Sequence, residues 1–297
     1  MDNELRFAIL IDADNVSDKY IKVILDETAN NGIATYKRIY GDWTSKRLAS
    51  WKGVLLENSI IPMQQYNYTT GKNSTDSAMI IDAMDILYSG TVDGFCIVSS
   101  DSDFTRLAAR LRESGMQVIG MGEEKTPKPF ISACNQFKYL DLLYSDQQEE
   151  EAKVPEPRQE ELKTMTARDE EEENAKHPEI SRGLEITTIK RKDNWSKDKE
   201  PKTEKPQEKQ NRKNMKQKDL TQIRKTINAI INKFSDEDGW MFSGKLGDQL
   251  AKRLPDFDVR NYGFSKLTPF ISSLGDYEIN KRHTPGGQKH IYIRLKG

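Results

Sequence analysis

The sequence predicts an α/β protein: a doubly wound parallel sheet in the first half, then a disordered charged linker, then a small C-terminal winged helix-turn-helix domain. Three observations carry this. Residues 5–145 alternate short β-rich runs with helical segments, the pattern of a sheet wound with crossover helices. Two runs, LRFAILI (5–11) and GFCIVSS (94–100), are almost continuously apolar, as strands buried on both faces of a parallel sheet must be. Residues 219–297 offer three helical patterns closed by two β-like runs, the layout of a winged helix.

In chain order, Ser17 or Asp18 caps a helix that runs to about Asn31, where Asn30-Asn31-Gly32 stops it. ATYKRIY (34–40) is a strand, 45–58 a helix, and IIPMQQY (60–66) a strand that Pro62 confines to the sheet edge. A helix over 75–88 carries Ala78, Ile81 and Ile86 on one face. After the second apolar strand come a helix over 103–114, ended by Ser114-Gly115, a strand at 116–121 and a helix near 128–135. Residues 146–218 lack apolar periodicity and are filled with Glu, Lys, Gln and Pro, a composition that cannot repay the entropy of ordering. Order returns with a helix over 219–234 bearing Leu220, Ile223, Ile227, Ile230, Ile231 and Phe234. Helices follow at 243–254, capped by Ser243 and ended by Pro255, and at 260–274. YEINKR and HIYIRL, joined through Thr284-Pro285-Gly286-Gly287, form a hairpin. The expected domains are thus 1–145, 146–218 and 219–297.

Bulk composition narrows the function classes. The chain is 35% hydrophobic and 31% charged, too polar for one compact globule of 297 residues. No run approaches the roughly 18 apolar residues of a membrane span, and no basic-then-apolar leader pattern opens the chain, so the expectation is a cytoplasmic protein with no membrane partner. Cys96 and Cys134 sit among apolar residues and read as small buried hydrophobes. The net charge of −1 hides an asymmetry, because residues 1–145 carry 15 basic and 19 acidic groups while 219–297 carry 13 basic and 9 acidic. An acidic front and a basic rear point to a nucleic-acid partner held from the rear.

Two carboxylate clusters follow the two most apolar strands directly: Asp12-Ala13-Asp14-Asn15 and Ser99-Ser100-Asp101-Ser102-Asp103. In an open α/β sheet, ligands bind beyond the carboxyl ends of the strands, where two central strands part. Asp76, behind the polar loop Gly71-Lys72-Asn73-Ser74-Thr75, heads a helix that also carries Asp82. Carboxylates forced together repel and take up protons unless a cation shares the site, and hard oxygen ligands at this density suit Mg²⁺ or Mn²⁺. All three histidines lie beyond the first domain, at 177, 283 and 290, which excludes His-pair ribonuclease chemistry and a Ser-His-Asp triad there. A plainer reading stays open beside this one: Ser102 or Asp103 as an N-cap, and Asp14-Asn15 as an Asx turn.

The series FAILIDADNV, GKNSTDSAMIIDAMD and FCIVSSDSDFTRLAARLRESGMQVIGMG closely resembles the NYN domain of LabA-like proteins, a branch of the PIN-like nucleases. The resemblance spans nearly all of 5–145. It implies a PIN-like sheet, Asp12, Asp76, Asp101 and Asp103 as ligands of Mg²⁺ or Mn²⁺, and Asn15 beside them contacting ligand or metal-bound water. One departure is Ser100, where a Gly usually precedes Asp-x-Asp; Ser suits ordinary strand-end geometry but not a positive φ. Asp12-x-Asp14-x-Val16 also matches the first motif of haloacid-dehalogenase-type phosphatases. Against that stand a helix in place of a flap hairpin after the motif, and a 34–40 strand with no Ser or Thr at its end.

Gly239-Trp240, Lys245-Leu246-Gly247, Leu254-Pro255-Asp256-Phe257-Asp258 and Tyr262-Gly263-Phe264-Ser265-Lys266-Leu267 resemble the LOTUS, or OST-HTH, domain. That resemblance implies RNA as partner, with G-rich RNA bound by related bacterial forms. Arg260, Lys266, Lys281, Arg282, Lys289 and His290 are the candidate phosphate contacts there, and Lys72 is a further candidate RNA contact in the first domain. A solvated face or a protein partner is the competing reading of the C-terminal domain. The sequence thus leads to a metal-dependent RNA endonuclease with a recruiting module, and its rival is a non-catalytic RNA-binding regulator.

Overall fold

The computed structural model describes residues 4–66, 74–153, 206–283 and 289–296. The heart of the first half is a parallel sheet of six strands: β1 (Arg6–Asp12), β2 (Ile33–Gly41), β3 (Ile61–Gln64), β4 (Gly94–Val98), β5 (Gln117–Gly122) and β6 (Gln136–Tyr139). Their order is β3-β2-β1-β4-β5-β6. The chain therefore winds outward from β1 in one direction and from β4 in the other, and β1 and β4 pair in register from Phe7↔Gly94 to Ile11↔Val98. These are the two strands read as central from their apolar runs, and Pro62 lies in the edge strand β3.

Helices cover both faces. Ile9, Ile11, Cys96 and Val98 pack with α1 (Ile21–Ala29), α2 (Trp51–Glu57) and α6 (Leu140–Lys153) through Ile24, Trp51 and Leu140. Ala8, Leu10, Phe95 and Ile97 pack with α3 (Ser74–Ser89), α4 (Thr105–Glu113) and α5 (Lys128–Ala133) through Met79, Ala83, Leu111 and Phe130. Each fully buried Val, Leu, Ile, Phe or Met side chain among them contributes roughly 1.5–3 kcal/mol, and strict i, i+2 alternation across β1 and β4 feeds both layers. Gly94 is set by close approach, since a Cβ there would stand 2.4 Å from the Phe7 ring and 2.6 Å from the Gln117 carbonyl oxygen. Both cysteines are buried and unpaired.

Several elements differ from expectation. On α3 the buried apolar residues are Met79, Ala83 and Ile86, whereas Ile81 is 63% exposed, because positions 79, 83 and 86 share a face that 81 leaves. The helices expected from 17, 45 and 103 each open with a short 3-10 turn, over Asp18–Tyr20, Lys46–Leu48 and Ser102–Phe104. β6 and α6 were not anticipated. β6 is only four residues long, too short for a periodicity signal.

The C-terminal region comprises α7 (Pro206–Phe234), β7 (Met241–Phe242), α8 (Ser243–Arg253), α9 (Leu267–Leu274), β8 (Tyr277–His283) and β9 (Lys289–Leu295). The strands form an antiparallel sheet in the order β7-β9-β8, and Ile227, Ile230, Leu246, Leu250, Phe270, Ile271 and Ile293 fill the space beneath it. Here α7 begins at Pro206 and not near 219, so the tail of the expected linker is helical. Most of that linker, 154–205, and the hairpin tip at 284–288 lie outside the described residues. Ser243 is the first helical residue and not a side-chain cap; the N-cap position is Phe242. No described helix is long and apolar enough to cross a membrane.

Contacts gather Met1–Gln148 and Arg224–Gly297 into one compact unit and Glu149–Ile223 into a second. Within the first unit, the segment after α8 rests on β6. Phe137 N donates to the Pro255 carbonyl at 2.7 Å, and the Tyr139 hydroxyl donates to Asp256 at 2.9 Å. Arg260 holds Glu27 of α1 with two hydrogen bonds, of 2.6 and 3.0 Å, and Asp258 at 2.7 Å. Lys138 of β6 completes the cluster, 2.8 Å from Asp258 and 3.6 Å from Glu27. Arg260, one of the candidate RNA phosphate contacts, thus has its guanidinium engaged by two acids, one of them only 5% exposed, and a buried carboxylate depends on such a partner cation. Burial works to raise the Asp258 carboxyl, but hydrogen bonds from Arg260 and the charge of Lys138 outweigh it and hold the group far below the usual carboxylate range.

Replacing Arg260 with Ala strands Glu27 with only the more distant Lys138, and should lower stability at pH 7 by about 3 kcal/mol, the low end for a broken buried pair. A group with a depressed folded-state pKa contributes its full stabilisation above its unfolded value, about 3.9 for Asp, and loses it progressively as pH falls from there toward the folded value. In urea titrations, the gap between wild type and Arg260→Ala should therefore close as pH falls below about 4. A gap that persists undiminished at pH 3 would show that charge is not what Arg260 contributes.

Candidate metal centre

β1 and β4 end side by side, and their last residues are joined by a hydrogen-bond relay. Asp12 is fully buried. Its Oδ2 accepts from the Ser99 hydroxyl at 2.8 Å and from Asn15 Nδ2 at 2.7 Å, and its Oδ1 accepts from Asp14 N at 3.0 Å. The Ser99 hydroxyl in turn accepts from Asp101 N at 3.0 Å. Asp101 then caps the 3-10 turn ahead of α4, accepting from Asp103 N at 2.9 Å. Burial is the main reason the Asp12 carboxyl is raised above its ordinary value, and the donors Asn15 and Ser99 partly offset it.

Asp76 reaches the same place from the first turn of α3. Asp76, Asp101 and Asp103 each present a carboxylate oxygen within 4.8 Å of the other two. Asp12 stands outside this trio, close enough that its charge acts on Asp76. Burial pushes Asp76 up to about 6, and the charges of Asp12, Asp101, Asp103 and Asp14 push it the same way. Three converging carboxylates whose mutual repulsion opposes ionisation form a donor set that fits a hard divalent cation, because such an ion removes the repulsion and matches oxygen ligands. Asn15 is exposed, and its Nδ2 donates to Asp12. Asp82, six residues along α3, is not one of the trio and bonds to Arg38 and Tyr40.

Ser99 is a participant to which the sequence reading gave no role, and Ser100 was read only for its backbone. Two hydroxyl residues after an all-apolar strand were the available signal. Ser100 has no positive φ, and its Oγ accepts from Glu123 N at 2.9 Å, tying the end of β4 to that of β5. At Gly122 a Cβ would meet the Ser99 carbonyl oxygen at 2.7 Å and Thr126 Oγ1 at 2.6 Å, so Gly lets the two strand ends close. Asp14 accepts from Thr75 at 3.1 Å, linking the β1 turn to α3.

Of the remaining candidates, Lys72 lies outside the described residues. Lys266, Lys281, Arg282 and Lys289 are exposed and His290 is half-buried.

A six-stranded parallel sheet with acids massed at its switch point, followed by a separate C-terminal domain, defines a PIN-like α/β protein with a winged-helix appendage. More particularly, residues 6–141 match the NYN domain family and residues 218–288 match the OST-HTH/LOTUS domain family, so the chain carries one domain of each kind. NYN domains belong to the PIN-like nuclease superfamily, which supports a hydrolase. A solved structure of a protein of unknown function from Vibrio parahaemolyticus is similar at 19% identity with a TM-score of 0.40, the match covering 47% of this chain and 94% of that one. No curated protein matches the chain.

A carboxyl group whose folded-state pKa is raised costs stability once it ionises: the cost grows between the unfolded value, about 3.9, and about 6, then stays constant. In metal-free buffer, Asp76→Asn should therefore melt higher than wild type by roughly 2–4 °C at neutral pH, with the advantage vanishing toward pH 4. Added Mn²⁺ should stabilise wild type and not the variant. Equal melting curves at every pH, with and without metal, would remove Asp76 from the site.

Proposed function

We propose that this protein is a metal-dependent RNA endonuclease whose C-terminal domain recruits the substrate. The observation that carries the reading is the convergence of Asp76, Asp101 and Asp103 within 4.8 Å at the carboxyl edge of the NYN sheet, where open α/β folds bind ligands. Mg²⁺ or Mn²⁺ held by these three, with Asp12 behind them, would supply the positive charge that eases deprotonation of water and offsets charge building on phosphorus. The chain's own residues do the rest. Asn15 and Ser99 hold the Asp12 carboxylate in one orientation. Ser99 and the 3-10 turn fix Asp101 and Asp103 relative to Asp12, so little reorganisation remains when substrate arrives. Exposure of Asp103 leaves the trio open to a chain as large as RNA.

The phosphatase reading loses support, because a 3-10 turn at 18–20 and α1 follow β1 directly, leaving no flap. The non-catalytic regulator stays the rival, and it differs from the enzyme in one measurement. The recruiting role of the C-terminal domain, its choice among G-rich or structured RNAs, an additional protein partner and a cytoplasmic location belong to the same reading.

Asp101→Asn preserves size and can still cap the 3-10 turn, yet removes a charge from the trio. Single-turnover cleavage of RNA with Mn²⁺ should fall on the order of 10²–10³-fold, the scale of losing one preorganised transition-state contact, while RNA affinity measured in EDTA stays unchanged. Equal cleavage rates for wild type and a folded Asp101→Asn protein would support the regulator.

A further inference from the structure

The three-stranded sheet of the C-terminal domain buries one face and shows the other to solvent. Met241, Tyr277 and Ile293 point inward. The opposite parity places Phe242 beside Tyr292 and Tyr292 beside Asn280, then pairs Arg282 with His290 and Glu278 with Arg294. Four ring systems therefore share an outward surface. The Phe242 ring, on a residue 41% exposed, lies 5.2 Å from His290 and 6.0 Å from Tyr292. The Arg282 guanidinium lies 4.6 Å over Tyr292 and 5.3 Å over Trp240, and Arg294 lies 4.6 Å over Trp240. Arg294 also bonds Glu278 at 2.5 Å; among the described residues no carboxylate pairs with Arg282.

The local sequence builds this surface deliberately. Asp236 accepts from Trp240 N at 2.6 Å, and its own N–H donates to the Trp240 carbonyl at 2.8 Å, closing a turn around Gly239. That glycine has φ +79°, and the stem of Arg294 passes within 3.5 Å of where a Cβ would sit. Trp240 is thereby held at the sheet's rim, with an arginine on its face.

The helix that a winged helix ordinarily lays in a groove offers little by comparison. α9 reads LTPFISSL, with no charged residue, and Phe270, Ile271 and Leu274 are turned into the core. On the sheet, by contrast, Arg282 and Arg294 stand directly over aromatic rings.

We propose that the outer face of β7-β9-β8, formed by Trp240, Phe242, Tyr292 and His290 with Arg282 and Arg294, is a stacking platform for the unpaired bases of single-stranded RNA. The proposal rests on the reading of the C-terminal domain as the RNA-recruiting module, and it specifies the strandedness of the RNA and the surface that holds it. Rings flanked by guanidinium groups suit this ligand: bases stack on the rings whatever their sequence, and the arginines neutralise the adjoining phosphates. A duplex keeps its bases stacked on one another and offers no free base face to such a surface.

The test uses the full chain in EDTA, so that no RNA is cut, and measures fluorescence anisotropy with a labelled twelve-nucleotide oligo(U) and a blunt RNA duplex of the same length. Wild type should bind the single strand more tightly than the duplex and quench tryptophan fluorescence on binding. Phe242→Ala and Tyr292→Ala should each weaken oligo(U) binding on the order of ten-fold, whereas Tyr292→Phe, which keeps the ring, should not. Arg282→Ala, an exposed change that leaves both rings, should weaken binding and flatten its salt dependence. Tighter binding of duplex, or undiminished oligo(U) binding by a folded Phe242→Ala/Tyr292→Ala protein, would overturn the platform while leaving RNA recruitment intact. Failure of wild type to bind either RNA would overturn the recruiting role itself, and the platform with it.

Discussion

The hydrogen bond from Ser99 to Asp12 is the contact on which the site depends, because it joins the ends of two strands that leave the sheet in opposite directions. β1 and β4 are neighbours in space although α1, α2 and α3 lie between them in the chain. Beyond their ends the crossovers diverge, and the gap collects whatever the two strands terminate in. Here that is an acid from each, with one serine hydroxyl serving both: it donates to Asp12 and accepts from Asp101 N. A buried carboxylate with no counter-charge is expensive. The protein meets the expense with three donors on Asp12 and leaves the remaining repulsion among Asp76, Asp101 and Asp103, where a cation can relieve it.

How much of this was legible in the sequence follows from the length of each signal. β1 and β4 were readable because a parallel strand covered on both faces must be apolar throughout, and such runs are rare in a chain this polar. Adjacency of Asp12 and Asp101 followed from that alone, since central strands of a doubly wound sheet end at one place. The division within the acid set was not readable. Asp12 and Asp101 follow their strands in the same way, yet one is fully buried and saturated with donors while the other faces its fellow acids. That difference is made by Ser99 and Asn15 choosing Asp12, a matter of side-chain direction that spacing does not encode. The 3-10 turns, β6 and the early start of α7 escaped for a related reason: each is too short or too polar to imprint a period.

The C-terminal domain shows the same limit for basic residues. Arg260 and Arg282 both read as phosphate contacts, being cations in a basic module. Only their neighbours distinguish them. Arg260 faces Glu27, a residue more than two hundred positions away, and belongs to the packing of the C-terminal segment on β6. Arg282 faces aromatic rings at the surface. A count of positive charge would have credited both to the ligand. The structure instead divides the domain into a side that holds the first domain and a side that stays open.

The contact between Phe137 and Pro255 bears on how the chain avoids its own kind. β6 is the last strand of the sheet, and a bare edge strand is a template for another chain's backbone. The carbonyl of Pro255 accepts from that edge at 2.7 Å, yet proline has no N–H to give in return. The exchange ends after one bond, and the edge is occupied without being extended into a seventh strand. A chain stripped of its C-terminal segment keeps the acids but uncovers this edge, so self-association and precipitation are the penalty of removing a module that contributes no acid to the trio.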